Sequence, residues 1–427
     1  MLYRLIGLLQ RITFRIFFKH IHLANLNYIP FNKPVVIACN HPGAFMDPGF
    51  IGSMLRKPIY YTARGDVFAN PVASFFLHAL HIKPVFRLEE GFGNLSKNYE
   101  TINALADVLK KNGIVLIFSE GMSALDRRLR PLRKGTARIF LQIALENDLD
   151  IELYASGITY THKKNFRQSV MYSVSKPLFL KDYLTDFISH QQRGYHTFSK
   201  ELARRISENF VVVKYPECDE IVDRHINYYC STENLPQIPM IVQNRRKLDA
   251  LQSLSSQINN LFRNEPNRFE KLKAETSQYE SMLDQYKITD YGLVNKRLNS
   301  FQMLLLIFAF PFSLLGFYFW GIPYIIAKKI ADKTVTRIDF YDSVAMNSLA
   351  FIYAIIMVFN NIILALWMGW WSLLIWVFAP VLGEFAFWTY DAIVHLWRVV
   401  KAQNCPVQKE LLDLRRKIAN FHAETAS

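Results

Sequence analysis

The sequence predicts an α/β fold, a mostly parallel sheet flanked by helices, followed by a helical hairpin and C-terminal transmembrane helices. Three observations predict it. From residue 33 to about 215, short β-type runs alternate with helical stretches, the pattern of strands joined by crossover helices. Residues 216–298 are polar, with apolar residues at helical spacing, and read as two helices in a hairpin. Residues 299–327 and 343–383 carry no charged side chain at all, and about 20 apolar residues suffice to cross a bilayer.

The chain divides into five parts on this reading. Residues 1–32 form an amphipathic helix: Leu2, Leu5, Ile6, Leu9, Ile12, Ile16 and Phe17 recur at helical spacing, opposite Arg4, Arg11, Arg15 and Lys19. Such a basic, amphipathic terminus suits a membrane interface, or else packs on its own domain. In the α/β region, residues 33–215, the runs "PVVIA", "IYYT", "IVLIF", "IELYASGITYT" and "VMYSVS" are strands, and a helix starts near Ser96 and stops at Gly113. Residues 216–298 are the hairpin, either covering that domain or spacing it from the membrane. Residues 299–400 are the transmembrane region, and 401–427 a basic tail.

Within the transmembrane region the first block is one span, or a re-entrant segment bent at Pro311 and Pro323. The second would be about 60 Å long as a single helix, so it folds into two spans, turning near Asn360–Asn361, with Trp367, Trp370 and Trp371 near an interface. Basic residues flank all of these blocks, at Lys296–Arg297, Lys328 to Arg337 and Arg398 to Lys417. The positive-inside rule wants all three flanks on one side, which favours two hairpin-like insertions.

The chain carries a net charge of +14. Residues 1–215 hold 29 Lys/Arg against 16 Asp/Glu, while the rest is close to balanced. A positive field confined to the α/β half suits a phosphate-bearing or acidic-lipid partner. No zinc-finger or RNA-binding signature accompanies it, so nucleic acid is not the expected partner. The four cysteines are scattered, as expected of reduced thiols facing a cytosol and not of a metal site. Three arginines interrupt the first apolar run, so it does not read as a signal peptide.

Two constellations carry chemistry. In "VVIACNHPGAFMDPGF" a buried-type strand runs into Asn40–His41, with Asp47–Pro48 close behind. A histidine at the carboxyl edge of a parallel sheet lies where ligands bind in such folds and can act as a base near neutral pH. Asp47 can orient it, or cap a helix that begins at Pro48. Alone, this pair is better explained as a turn histidine and a cap. In the second stretch, "IVLIF" delivers Glu120–Gly121 to the same edge. Arg127, Arg128, Arg130, Arg133, Lys134 and Arg138 follow with no acid among them. Arginine forks match phosphate oxygens, although such runs are also ordinary solvated surfaces.

Taken together, Asn40-His41…Asp47, then Pro84-Val85-x-Arg87, then Phe118-x-Glu120-Gly121-x-Ser123, then Gly157-Ile158-x-Tyr160 resemble the glycerolipid acyltransferases. That group comprises the lysophosphatidate and glycerol-3-phosphate acyltransferases built around His-x-x-x-x-Asp. The resemblance covers residues 33 to about 180 and extends loosely to 215. It implies a glycerol-phosphate acyltransferase-like fold and an enzyme of phospholipid synthesis. An acyl thioester, acyl-CoA or acyl carrier protein, would donate to a hydroxyl of glycerol-3-phosphate or a lysophospholipid. It implies catalytic roles for His41 and Asp47. Asn40, Arg87, Glu120, Gly121, Ser123, Arg127, Arg128, Lys134, Arg138 and Gly157 would bind substrate. Backbone N–H groups at the Glu120–Gly121 turn would face the oxyanion. No cofactor or metal is expected. The partners are membrane lipid and the acyl donor, and the place is a bacterial inner membrane with the site on the cytoplasmic face. An acyltransferase for another lyso-lipid, or a non-catalytic lipid-binding protein of the same fold, are the alternatives. The departures are five residues instead of four between His41 and Asp47, His81 where a glycine is usual, and Ser119 and Ala155 where prolines are usual. The extra residue falls in "PGAF", which must bulge if the carboxylate is to reach the imidazole.

Overall fold

The computed structural model describes residues 2–85, 95–164, 166–232 and 240–424. Its centre is a nine-stranded sheet. The strands are β1 (His20–Ala24), β2 (Val35–Cys39), β3 (Ile59–Arg64), β4 (Ile82–Val85), β5 (Ile114–Phe118), β6 (Glu152–Tyr160), β7 (Ser169–Val174), β8 (Leu178–Phe179) and β9 (Met240–Val242). They lie in the order β4-β3-β5-β2-β6-β7-β1-β9, with β8 on β6. From β4 to β6 all pairs are parallel; β7 runs antiparallel to β6, and β1 and β9 run parallel to β7. The sheet is therefore mostly parallel, as expected, but it reaches outside residues 33–215. β1 comes from the N-terminal segment and β9 from the polar segment. Both are edge-ward strands of five residues or fewer, too short to show alternation against their helical neighbours.

β2 and β5 sit centrally and are almost wholly buried, which explains their unbroken apolar runs. Successive side chains of β2 serve opposite faces. Val35, Ile37 and Cys39 join a core with Phe14, Phe17, Phe50 and the C-terminal helices. Val36 and Ala38 join another with Leu105, Leu109, Phe140 and Phe198. The first face thus carries helices Leu2–Phe17 and Met46–Met54, and the second carries Leu95–Lys110, Gly135–Glu146 and Gln191–Ser207.

The N-terminal helix docks on its own domain through Phe14, Ile16 and Phe17, while Leu5 and Leu8 stay exposed. Arg15 pairs with Glu384 and Arg11 donates to the Ser53 carbonyl. Helices Arg246–Asn264 and Pro266–Gln285 form the polar hairpin and share a core with Gln408–Glu424. The last is not a free basic tail: Leu411, Leu414 and Ile418 make an apolar stripe that is buried there, and Arg415 donates to Asp290 at 2.7 Å.

Two helical stretches, Ser300–Thr334 and Ile338–Gln403, are long and apolar enough to cross a membrane. The second is a pair, Ile338–Met368 and Ile375–Gln403, joined at Gly369–Leu374. Its turn is at Gly369 (φ +57°) and not at Asn360–Asn361. The shift has a physical cause. The helices begin and end beyond the uncharged block, because their charged residues are paired: Asp339 with Ser123, Asp391 with Arg167, Glu384 with Arg15. The midpoint therefore moves toward the exposed Trp370 and Trp371, which stack at the turn. The first stretch follows a bent course. Arg297 meets Gln403, Gly316 abuts Leu382, and Tyr318 and Trp320 meet Asn360 and Tyr353. The chain then runs back along the other helix until Asp332 meets Tyr341. The bend falls at the π turn Phe317–Gly321, between Pro311 and Pro323.

Candidate active site

The carboxyl ends of β2, β5 and β6 meet at one edge. Where β2 ends, Asn40 continues the ladder with its side chain. Its Oδ1 accepts from the Ile158 N–H at 2.8 Å and its Nδ2 donates to the Ile158 carbonyl at 3.1 Å. An amide paired in this way bonds through both its oxygen and its nitrogen, so Asn40 fixes the strand end.

His41 follows, stacked on Phe118 at 3.8 Å between ring centroids. Its Nδ1 lies 2.8 Å from Asp47 Oδ2. Asp47 is fully buried. The same Oδ2 accepts from the Gly43 N–H at 2.8 Å, and Oδ1 accepts from the Tyr160 hydroxyl at 2.6 Å. "PGAF" does bulge, but the residue that turns left-handed is Ala44 (φ +44°). Gly43 serves by lacking a side chain, since a Cβ there would stand 2.6 Å from Asp47 Oδ1 and 2.9 Å from the Tyr160 ring. Asp47 is not a helix cap. The helix begins at Met46 with no side-chain cap, and the Asp47 carboxylate turns back to the loop instead.

Glu120 is the second anchor. Oε1 accepts from the His41 N–H at 3.3 Å and Oε2 from the Arg130 N–H at 3.0 Å. Burial pushes its carboxyl above the usual range, and these two N–H groups hold part of that shift back. Gly121 (φ +70°) closes the turn by donating to the Phe118 carbonyl at 3.0 Å. The Gly121 N–H of this turn is thus used internally and is not turned outward to an oxyanion. Ser123 donates to Asp339 Oδ2 at 2.7 Å, linking the turn to the C-terminal helices.

The basic run separates into three. Arg127 is a buried strut: Nε donates to Asp223 Oδ1 at 2.8 Å, and its terminal nitrogens donate to the Tyr160 and Thr161 carbonyls. Burial alone would raise the Asp223 carboxyl; Arg127 and Lys163 outweigh it and hold it below the usual range. Arg128 pairs with Asp219 at 2.8 Å. Both arginines, expected from the sequence to hold a substrate phosphate, are matched by acids 90 or so residues later. Lys134 donates to Gln192 and Arg138 lies beside Tyr195, both on helix Gln191–Ser207. Arg130 and Arg133 follow the chain over the edge, their N–H groups bonding to Glu120 and to the Ser119 carbonyl. Arg87 lies outside the described residues.

Gly157 is a packing position and not a substrate contact. It pairs with Ser173 inside the sheet, and a Cβ would lie 2.5 Å from the Asn209 backbone. His81, where a glycine is usual, does adopt a left-handed backbone (φ +62°), its ring stacked between Tyr3 and Tyr60 at 4.6 Å from each. Those stacks offset the strain of a branched-free but non-glycine residue there.

Beside the strut, burial, helped by the Arg127 charge, pushes the His162 imidazole down to about 4. A folded-state value below the unfolded one means that the folded chain binds fewer protons. Stability is then full above pH ~6.5 and lost as pH falls toward 4, by about 3 kcal/mol at most. The expected result is that His162→Asn loses less unfolding free energy than wild type between pH 6.5 and pH 4.5, measured by denaturant titration. Equal losses in both proteins would refute it.

Sequence reasoning missed Ser343, whose hydroxyl bridges the Met46 N–H (2.9 Å) and the Gly43 carbonyl. A signal was present: Asp339, Asp342 and Ser343 share one face at the start of an otherwise apolar helix.

The acyltransferase family's sequence model matches residues 20–159. No curated protein matches the chain. Among solved structures, the crystal structure of the 1-acyl-sn-glycerophosphate (LPA) acyltransferase PlsC from Thermotoga maritima aligns with 16% identity and a TM-score of 0.36. That alignment covers 48% of this chain and 78% of the other.

Proposed function

We propose, because the acyltransferase family's sequence model matches residues 20–159, that this chain is an acyltransferase that moves a fatty acyl chain from an acyl thioester to a hydroxyl of glycerol-3-phosphate or of a lysophospholipid. The observation that carries the reading is the His41–Asp47 contact at 2.8 Å through Nδ1. It orients Nε2 away from the carboxylate as the atom to take the acceptor's proton.

In this mechanism the acceptor oxygen attacks the thioester carbonyl as its proton passes to His41 Nε2. The C–O bond forms, the C–S bond breaks, and the leaving thiolate takes the proton back from the imidazolium. Asp47 steadies that imidazolium and is itself held by Gly43 and Tyr160. No covalent acyl-enzyme forms. Glu120 ties the backbone of His41 to that of Arg130, so the base and the basic loop move together. Arg87, with Arg130 and Arg133, is the set we assign to the acceptor's phosphate. The acyl donor in this reading is an acyl thioester of CoA or of acyl carrier protein. The apolar helices and their basic flanks support a membrane protein, and we place it in a bacterial inner membrane with its site facing the cytoplasm.

The test is transfer of labelled acyl groups from acyl-CoA or acyl carrier protein to a panel of acceptors by the full chain in detergent. Acylation of glycerol-3-phosphate or lysophosphatidate supports the reading; acylation of neither rejects it. Arg87→Ala is expected to raise the acceptor's KM about tenfold or more, as for a lost charged hydrogen bond, with the donor's KM little changed. An equal effect on both would overturn that assignment.

A further inference from the structure

We propose that Ser343 is a positioning residue for the His41–Asp47 pair, so that the C-terminal hairpin supports the catalytic loop as well as meeting the membrane. The catalytic wording rests on the acyltransferase reading above; the structural claim does not.

The loop from Pro42 to Met46 has one residue more than the family's spacing, and it pays for the reach of Asp47 with a left-handed Ala44. Such a loop needs a hold from outside itself. Asp47 supplies one, through the Gly43 N–H. Ser343 supplies another: its hydroxyl donates to the Gly43 carbonyl and accepts from the Met46 N–H, bracing the turn that these two groups close directly at 2.9 Å, and it is almost completely buried. The two peptide groups it joins flank Ala44–Phe45, the bulge itself. Phe45 also packs against Phe340 on the same helix, 5.6 Å between centroids.

Ser343 does not act alone on that helix face. Asp339 receives the Ser123 hydroxyl, from the turn that holds Glu120. Asp342 receives Gln168, at the start of β7. One helix face therefore touches the histidine loop, the glutamate turn and the sheet at three separate points. Of these three polar contacts, that of Ser343 is the one on the loop between His41 and Asp47, and this separates positioning from mere docking. The family's match ends at residue 159, so this support lies in a part of the chain the match does not reach.

The experiment compares Ser343→Ala, Ser343→Thr and Asp342→Asn in the full chain in detergent. Two readouts are taken: kcat and KM for transfer, and the rate of His41 carbethoxylation by diethyl pyrocarbonate, followed by peptide mass spectrometry. Ser343→Ala is expected to lower kcat about five- to tenfold, the size of one lost net hydrogen bond, with both KM values within about twofold. His41 labelling should accelerate by a similar factor. Ser343→Thr, which keeps the hydroxyl, should restore both, and Asp342→Asn should leave both near wild type. Wild-type kcat and labelling in Ser343→Ala would overturn the proposal. So would an equal effect from Asp342→Asn, which would reduce Ser343 to one docking contact among several. If wild type transfers no acyl group to any acceptor, the acyltransferase reading fails, and the labelling contrast still decides whether Ser343 holds the loop.

Discussion

His41→Ala in the purified full chain is expected to lower kcat by about 10³-fold, within the range for a lost general base, while the folded protein keeps its thermal midpoint. The side chain is partly exposed at the sheet edge and rests on Phe118, so its removal leaves a surface notch, not a core cavity. Asp47→Asn should follow at about 10²-fold, but with a different signature. Asp47 is fully buried and receives three donors, from His41, Gly43 and Tyr160. An amide can accept from only some of them, and its own N–H₂ opposes the rest. Stability should therefore fall in Asp47→Asn and hold in His41→Ala, as read by thermal unfolding. Full activity in His41→Ala would end the general-base assignment; loss of activity only through unfolding would end it too.

Arg127→Ala has the second largest expected effect, and on stability instead of catalysis. The guanidinium joins the loop after β5, the end of β6 and helix Asp219–Ser231. Removing it strands two carbonyls and leaves Asp223 with Lys163 alone. Breaking a buried pair costs about 3–5 kcal/mol; Asp223 is a quarter exposed and keeps one partner, so about 2–3 kcal/mol is expected from denaturant unfolding. The acceptor's KM should stay within about twofold of wild type. A variant of normal stability with a strongly raised acceptor KM would reinstate Arg127 as a phosphate ligand.

That contrast shows where a sequence stops being legible. Strand β5 and the turn at Glu120 could be read because the information is local: five apolar residues, then a glycine. The basic run could not. Two of its charges, Arg127 and Arg128, are matched by Asp223 and Asp219, which sit in another element and meet the arginines only once the polypeptide has folded. The same holds for His41 and Asp47. Their spacing was visible, and so was the need for a bulge. The donors that make the bulge hold, Tyr160 and Ser343, come from over 100 and about 300 residues away. Tyr160 was at least within a recognisable motif. Ser343 was marked only by sharing a helix face with Asp339 and Asp342 at the start of an otherwise apolar stretch.

The C-terminal turn illustrates a different limit. Counting uncharged residues assumes that charge marks the end of a membrane helix. Here Asp339, Glu384 and Asp391 are absorbed by partners on the α/β domain, so the helices run on past the block and the turn moves to Gly369. Strands β1 and β9 were hidden for a simpler reason: five and three residues pair only because a neighbouring edge is available.

The most direct test of the central claim is a single-turnover, rapid-quench measurement with an acyl thioester, labelled in the acyl group, with and without a glycerol-phosphate acceptor. If His41 activates the acceptor hydroxyl for direct attack, thiol release requires the acceptor, one ester forms per thiol released, and no label stays on the protein. A burst of thiol without acceptor, with the acyl group bound to the chain, would contradict the account.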